Sequence, residues 1–103
     1  MNIQEQANTV TVTGLTELSA TNAGAFRDDT RSALLAGATV LDVDLSQTCF
    51  LDSSGLGALI ALHKTMSGRG GAVRLVNPTA TAQQILELTR LHRVFEIVKT
   101  QIP

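Results

Sequence analysis

The residues best suited to chemistry lie in the middle of the chain, between an apolar strand and an apolar helix. Residues 45–57 read Leu-Ser-Gln-Thr-Cys-Phe-Leu-Asp-Ser-Ser-Gly-Leu-Gly. Asp52 and Ser53 are both favourable N-cap residues. The first N–H groups of a helix have no partner within it and carry a partial positive charge. Gly55 and Gly57 remove side-chain bulk beside those groups, so the segment suits an anion at the helix start.

Ser53 and Ser54 give this helix start a second chemistry, because a serine there can acquire a phosphate. The added charge of about −1.5 to −2 would lie at the favourable end of the helix dipole. Plain capping is the alternative interpretation, since Ser and Asp begin many helices that have no further role. Composition and spacing alone leave both interpretations open.

Enzymatic and metal-binding interpretations fit the segment less well. Gly55 and Gly57 follow a strand, but Ile60 occupies the third glycine position of a dinucleotide-binding loop, and no Gly-Lys-Ser/Thr of a P-loop follows. Ser54 does not stand in a Gly-x-Ser-x-Gly elbow. His63 lies two to three turns further along the helix, too far to act as a base for Ser54. Two histidines and one cysteine, widely separated, do not form a metal site. We expect no cofactor, no metal and no catalytic residue.

The rest of the sequence predicts strands alternating with helices. Strict alternation of Thr and Val predicts the first strand, and apolar residues at helical spacing predict the helices. Strands are predicted at residues 9–13, 40–45, 72–76 and 94–98, and helices at residues 22–35 and 53–67 and in a third segment marked by Ala82, Ile85, Leu86, Leu88 and Leu91. This order implies parallel strands joined by right-handed crossovers.

One strand predicts a sheet with an open face. Asp42 and Asp44 share one face of the second predicted strand, while Leu41, Val43 and Leu45 share the other. A central parallel strand covered on both faces would be apolar throughout. The two aspartates are therefore interpreted either as partner contacts or as part of a solvated face.

Composition narrows the class of protein. The chain has 103 residues, a net charge of −1, 44% apolar and 17% charged residues. These values predict one domain, residues 1–103, and argue against a nucleic-acid binder. The single cysteine, Cys49, excludes an internal disulfide and is interpreted as a small buried side chain. No apolar run approaches the roughly 20 residues that span a bilayer, and no signal peptide is apparent. We expect a cytoplasmic protein without membrane insertion.

The central segment closely resembles the STAS domain of bacterial anti-sigma factor antagonists. The resemblance lies in residues 52–57, with 43–46 and 50–51 before them, and it continues through residues 70–75 and 88–97. It covers roughly the whole chain. The resemblance implies an α/β fold, the STAS (anti-sigma factor antagonist) fold, with a four- to five-stranded mixed sheet, helices and one sheet face partly open. It also implies a regulatory protein that is not an enzyme.

The same resemblance implies a mechanism of partner switching. The unphosphorylated form binds an anti-sigma factor that is itself a serine kinase and so frees a sigma factor. Phosphorylation of the serine that matches Ser54 releases the kinase, and a serine phosphatase resets the switch. Ser53 would be a neighbour, although the sequence leaves it open as the acceptor. We expect a monomer or weak dimer. The residues expected to contact the partner are Asp52, Ser53, Ser54, Gly55, Leu56, Gly57, Ser19 and Asp44.

The chain departs from the family pattern in two places. The family often has Gly-Glu-Leu-Asp after its first strand, whereas residues 14–19 read Gly-Leu-Thr-Glu-Leu-Ser, so Ser19 occupies the expected acidic position. Arg90 stands where a glycine is common before the last strand.

An alternative function within the same fold is a STAS subunit of a lipid-transport ATPase or a stressosome-type complex. Such a subunit binds its partner without a phosphoswitch.

Overall fold

A computed structural model describes residues 1–100 of the chain. Within that part, seven strands and three α-helices follow one another, with two short 3-10 turns at residues Leu34–Ala36 and Leu91–Arg93. In chain order they are β1 (Asn2–Gln6), β2 (Thr9–Thr13), β3 (Glu17–Leu18), α1 (Ala23–Ala33), β4 (Val40–Asp44), β5 (Phe50–Leu51), α2 (Ser53–Ser67), β6 (Ala72–Val76), α3 (Ala80–Leu88) and β7 (Glu96–Val98).

Five of the strands form one mixed sheet in the order β1-β2-β4-β6-β7. β1 runs antiparallel to β2, and the other neighbouring strands are parallel. The two shortest strands, β3 and β5, form a separate parallel pair. The parallel strands are joined by crossovers that contain α1, α2 and α3, as the alternation of elements predicted.

The core lies between one face of the sheet and the helices. Alternate residues of the central strands point to it: Val10 and Val12, Leu41 and Val43, and Val73 and Leu75 are all buried. The helices contribute the facing side chains, among them Phe26, Leu59, Leu62, Met66 and Leu86. Burying each of these large apolar side chains stabilises the fold by about 1.5–3 kcal/mol.

In residues 1–100 no helix covers the other face of the sheet, which confirms the predicted open face. Asp42 and Arg74 are cross-strand neighbours on it. Arg74 donates two hydrogen bonds to the Asp42 carboxylate, from Nε to Oδ1 at 2.6 Å and from Nη2 to Oδ2 at 2.7 Å. The hydrogen bonds with the Asp42 carboxylate raise the pKa of the Arg74 guanidinium. Asp42 is therefore engaged within the sheet itself rather than left free on its surface.

Three strands were missing from the sequence prediction. β1 contains only one apolar residue, Ile3, so it shows too weak an alternation to be recognised, and β3 and β5 have two residues each. The helix at Ser53–Ser67 and the strands Thr9–Thr13 and Ala72–Val76 are confirmed with their bounds. The last strand is shorter than predicted, because a 3-10 turn occupies the chain just before it.

One hydrophobic cluster joins the sheet and all three helices. The prediction of a single domain extends to residues 101–103, which lie outside the described residues. Among residues 1–100, no helix combines the length and the apolar character needed to cross a membrane.

Candidate functional site

The start of α2 is positioned by two segments that run side by side after β2 and β4. The Thr48 hydroxyl donates to the carbonyl oxygen of Leu15 (2.7 Å), and the Asp52 N–H donates to that of Leu18 (3.3 Å). Between these two bonds lies the parallel pair of β3 and β5. The pairing brings the first turn of α2 against the loop that precedes α1.

Asp52 forms hydrogen bonds with both the first turn of α2 and the loop before α1. Its Oδ1 accepts a hydrogen bond from the N–H of Gly55 at 3.0 Å, which caps α2 as predicted. Its Oδ2 accepts from the N–H of Ala20 at 3.1 Å, in the loop before α1. These backbone donors, Gly55 foremost, lower the pKa of the Asp52 carboxyl below its ordinary value. The charged carboxylate therefore holds the helix start and the loop in one arrangement.

Ser19 lies inside that loop rather than on its surface, with 3% of its area exposed. Its N–H donates to Asn22 Oδ1 at 2.9 Å, and its hydroxyl accepts from the Thr21 N–H at 3.3 Å. Ser19 thus shapes the loop. The neighbouring Ala20 and Thr21 are exposed, so they form the surface of this loop. The contact predicted for Ser19 itself stays a prediction.

The two glycines of the helix start occupy different surroundings. A methyl group at Gly55 would lie 2.7 Å from the carbonyl carbon of Leu18 and would overlap its oxygen. Gly55 is therefore required by the close approach of β3 to α2. A methyl group at Gly57 would meet no atom within 4 Å. Gly57 is exposed, and its missing side chain leaves a flat place on the surface.

The outward side of the site is formed by exposed residues of β5 and α2. Ser53 and Ser54 are both exposed in the first turn of α2. Phe50, on the strand before them, is 54% exposed. Leu56 is half-buried and packs against the core. Together these positions form a surface with two hydroxyls and one large apolar side chain.

The prediction that Cys49 is buried is wrong, because its side chain is exposed. The apolar segment that Cys49 begins continues only through the two residues of β5. Of those two, Leu51 points into the core and Phe50 points outward. The Cys49 N–H is bonded to the Thr16 carbonyl oxygen at 2.9 Å, which holds the backbone at the surface.

Asp44 is not brought to this surface. It lies on the open face of the sheet, on the opposite side from α2, since its neighbour Val43 points into the core. Asp44 Oδ1 accepts a hydrogen bond from the Ser46 N–H at 2.8 Å and thereby shapes the turn after β4. The partner contact predicted for Asp44 stays a prediction, and it would belong to a different surface from that of Ser54.

Neither histidine stands near Ser54 as a base. His63 Nε2 lies 3.4 Å from the Ser67 hydroxyl, and its ring packs edge-on against Phe95 at 5.5 Å between ring centres. His92 Nδ1 lies 3.4 Å from the carbonyl oxygen of Leu86. In the described part of the chain, no group of three or more His, Cys, Asp or Glu residues is placed to hold a metal ion.

The chain has recognisable relatives. The family model of the STAS domain matches residues 1–101. A Thermotoga maritima protein named "putative anti-sigma factor antagonist" is 36% identical over 56 residues, which are 54% of this chain and 50% of that protein. The matched segment therefore spans about half the length of this curated relative.

Solved structures match over nearly the whole chain. The crystal structure of a Thermotoga maritima protein of the same designation covers 98% of this chain and 86% of its own, with 27% identity and a TM-score of 0.88. The anti-sigma factor antagonist SpoIIAA matches at 19% identity in its unphosphorylated and phosphorylated forms, with TM-scores of 0.79 and 0.72. Both forms cover 97% of this chain, and 87% and 90% of their own lengths. The SpoIIAA structures share the fold described here.

Proposed function

The chain belongs to the STAS domain family, and from this premise we propose that it acts as an anti-sigma factor antagonist by partner switching. In its unphosphorylated form it binds an anti-sigma factor that is also a serine kinase, and a sigma factor is freed. The kinase phosphorylates Ser54 and is released. A serine phosphatase restores the first state. The protein is then a substrate and a binding module, and ATP belongs to the kinase.

The observation that carries the proposal is the exposed hydroxyl of Ser54 on a rigidly held helix start. Ser54 is exposed in the first turn of α2. Two contacts hold the same turn in place. Gly55 packs against the backbone of Leu18, and the Asp52 carboxylate accepts a hydrogen bond from the Ala20 N–H. The backbone that carries Ser54 is therefore held in one place, so a partner surface can be complementary to this turn.

A phosphate on Ser54 can change the partner without changing the fold. The helix dipole favours the added negative charge at this end of α2. A partner surface built around the neutral hydroxyl must desolvate or pair that charge, which weakens binding. Each 1.4 kcal/mol lost lowers the affinity about tenfold. Because Asp52 is already charged two residues earlier, the phosphate would add to an existing negative site.

The partner surface proposed here combines segments that are distant in the sequence. Ser53, Ser54 and Gly57 come from α2, Phe50 from β5, and Ala20 and Thr21 from the loop before α1. Large apolar side chains such as Phe50 are common anchors in protein interfaces. The flat place left by Gly57 lets a partner backbone approach α2 closely.

The test is phosphate mapping on the protein isolated from its native host over several growth conditions, with phosphatase inhibitors present. We expect one added phosphate on the tryptic peptide that contains Ser54. We also expect its loss in Ser54→Ala and its retention in the matched control Ser53→Ala. Loss in Ser53→Ala alone would assign the acceptor to Ser53.

Binding supplies the second arm of the test. The protein is used as bait to isolate an anti-sigma kinase, and the affinity of that kinase is measured for wild type, Ser54→Ala and Ser54→Asp. We expect Ser54→Asp to bind at least about tenfold more weakly than Ser54→Ala. Equal binding of both variants, with unmodified protein under every condition, would overturn the phosphoswitch and leave a constitutive binding module.

A further inference from the structure

The outer side of β1 is an unpaired edge of the main sheet. β1 pairs with β2 through five consecutive residues without a bulge, and in residues 1–100 no strand lies on its other side. Proteins commonly protect such edges with lysine, proline, bulges or a covering loop. β1 reads Asn-Ile-Gln-Glu-Gln, so it has neither lysine nor proline, and Glu5 is its single charged residue. This edge can therefore accept another strand.

The hairpin register determines which backbone groups of β1 face outward. The two-residue turn at Ala7 and Asn8 closes on the pair Gln6 and Thr9, and such a turn is bridged by a hydrogen bond between its flanking residues. Hydrogen-bonded and non-hydrogen-bonded pairs then alternate along the strands. The N–H and C=O groups of Ile3 and Glu5 consequently point away from β2.

We propose that a second copy of this chain occupies the edge, with the two β1 strands antiparallel about a two-fold axis at Gln4. Ile3 of each copy then lies opposite Glu5 of the other. All outward groups of Ile3 and Glu5 are paired, which gives four main-chain hydrogen bonds. The two sheets become one sheet of ten strands, with the helices of both copies on the same side.

Charge and shape favour this register over its neighbours. A register centred on Glu5 would place two carboxylates opposite each other and would leave Ile3 without a strand partner. A register centred on Ile3 would use Met1, which lies outside β1. In the register centred on Gln4, the aliphatic stem of Glu5 covers Ile3 of the other copy. Ile3 is half-buried against the core in one chain, so the dimer completes its burial.

Disulfide trapping tests the register. The exposed Cys49 is first replaced, Cys49→Ser, and a single cysteine is placed in β1. The two copies of Gln4 form a non-hydrogen-bonded pair with Cα atoms about 4.5 Å apart, which suits a disulfide. The matched control is Gln6→Cys on the same face of the same strand. Its two copies would lie about 14 Å apart, four residues along the strand. We expect rapid dimer formation by Gln4→Cys and little by Gln6→Cys.

Sedimentation of the otherwise native chain tests the dimer itself. We expect a reversible, concentration-dependent shift from one copy to two at concentrations up to about 1 mM, because a strand pair alone forms a weak interface. Glu5→Pro removes an outward N–H from each copy, two of the four donors, and leaves the bonds to β2 intact. It should weaken the dimer about tenfold or more with the fold retained in circular dichroism.

Two results would overturn this inference. One is a single monomeric species at every concentration. The other is a dimer that Glu5→Pro does not weaken, together with equal trapping by Gln4→Cys and Gln6→Cys. Either result would leave the proposed function at Ser54 untouched, because the two surfaces belong to different elements.

Discussion

The first turn of α2 has an inward and an outward side, and the two sides differ in what determines their residues. On the inward side, Gly55 meets the backbone of Leu18 and leaves no room for a side chain. On the outward side, Ser54 and Gly57 meet solvent. Packing within the chain therefore accounts for a glycine at position 55. It does not account for the residue types at Ser54 and Gly57. Ser54 and Gly57 are therefore the residues of this turn whose type can reflect a function rather than the packing of the fold.

This difference cannot be read from the string Asp-Ser-Ser-Gly-Leu-Gly. In the sequence the two glycines look equivalent: both remove side-chain bulk at the helix start, and either close packing or an outside molecule would account for them. The structure separates a glycine that admits another part of the same chain from one that admits only an outside molecule. Gly55→Ala and Gly57→Ala test the separation directly, and Asp52→Asn and Arg90→Gly test two other positions at helix ends. The four substitutions are described in order of decreasing expected effect.

Gly55→Ala should cause the largest loss of stability, more than about 3 kcal/mol, because the new methyl group collides with backbone rather than with a movable side chain. The measurement is chemical denaturation followed by circular dichroism. If Gly55→Ala unfolded at the wild-type midpoint, the close approach of β3 and α2 would be wrong, and with it the inward side of the comparison.

Asp52→Asn should cause a smaller and pH-dependent loss of stability. The backbone donors around Asp52 lower its pKa in the folded chain below the ordinary value of 3.8. A lowered pKa stabilises the fold fully above the unfolded-state value, and this contribution is lost as the pH falls through the folded-state value. The stability difference between wild type and Asp52→Asn should therefore be constant above about pH 5 and should shrink towards pH 2.

The matched control for Asp52 is Asp29→Asn, which changes an exposed aspartate on α1. We expect its unfolding curve to follow that of the wild type at each pH. A difference between wild type and Asp52→Asn that did not change with pH would mean that the carboxylate charge does not hold the helix start.

Gly57→Ala should stabilise the chain by about 0.5–1 kcal/mol, because alanine is the better helix former and its methyl group meets only solvent. The same variant should bind the partner less tightly if the partner approaches α2 at this place. Thermal denaturation and the kinase affinity measure the two effects. Gained stability with unchanged affinity would remove Gly57 from the proposed partner surface.

Arg90→Gly should give the smallest effect, a gain of about 0.5 kcal/mol. Arg90 has a backbone φ of +61° directly after α3, where a side chain is strained and glycine is not. The greater freedom of glycine in the unfolded chain offsets part of the gain. Thermal denaturation measures it, and Thr89→Gly, one residue earlier at negative φ, should instead destabilise.

The sequence predicted the buried part of the fold better than its edges. Thr9–Thr13 and Ser53–Ser67 were predicted with their bounds, because each buries one face and its apolar residues repeat with the period of that element. β1 shows no such period, because only Ile3 touches the core and the other residues face solvent. The pair of β3 and β5 depends on contacts between segments about 33 residues apart, as the Thr48 bond to Leu15 shows.

The candidate site was predicted in part for the same reason. The capping role of Asp52 follows from its position before an apolar helix, and it is confirmed. Its second bond, to Ala20, and the burial of Ser19 follow from the packing of two distant segments and carry no local signal. Phe50 stands out in the sequence only through residues 50–51 of the family resemblance. Its exposure marks it as a surface residue that the sequence did not distinguish.

The bond between Asp52 and Ala20 has a consequence for how Ser54 could be recognised. The two residues are 32 positions apart, so they come into contact only when the two segments pack together in the folded chain. Under the proposed switch, an enzyme acting on Ser54 has to read a folded epitope rather than a linear motif. Under that proposal, a nascent or damaged copy would lack the folded epitope and would stay unmodified. Only correctly folded molecules would then be phosphorylated, so the regulation would depend on the integrity of the fold.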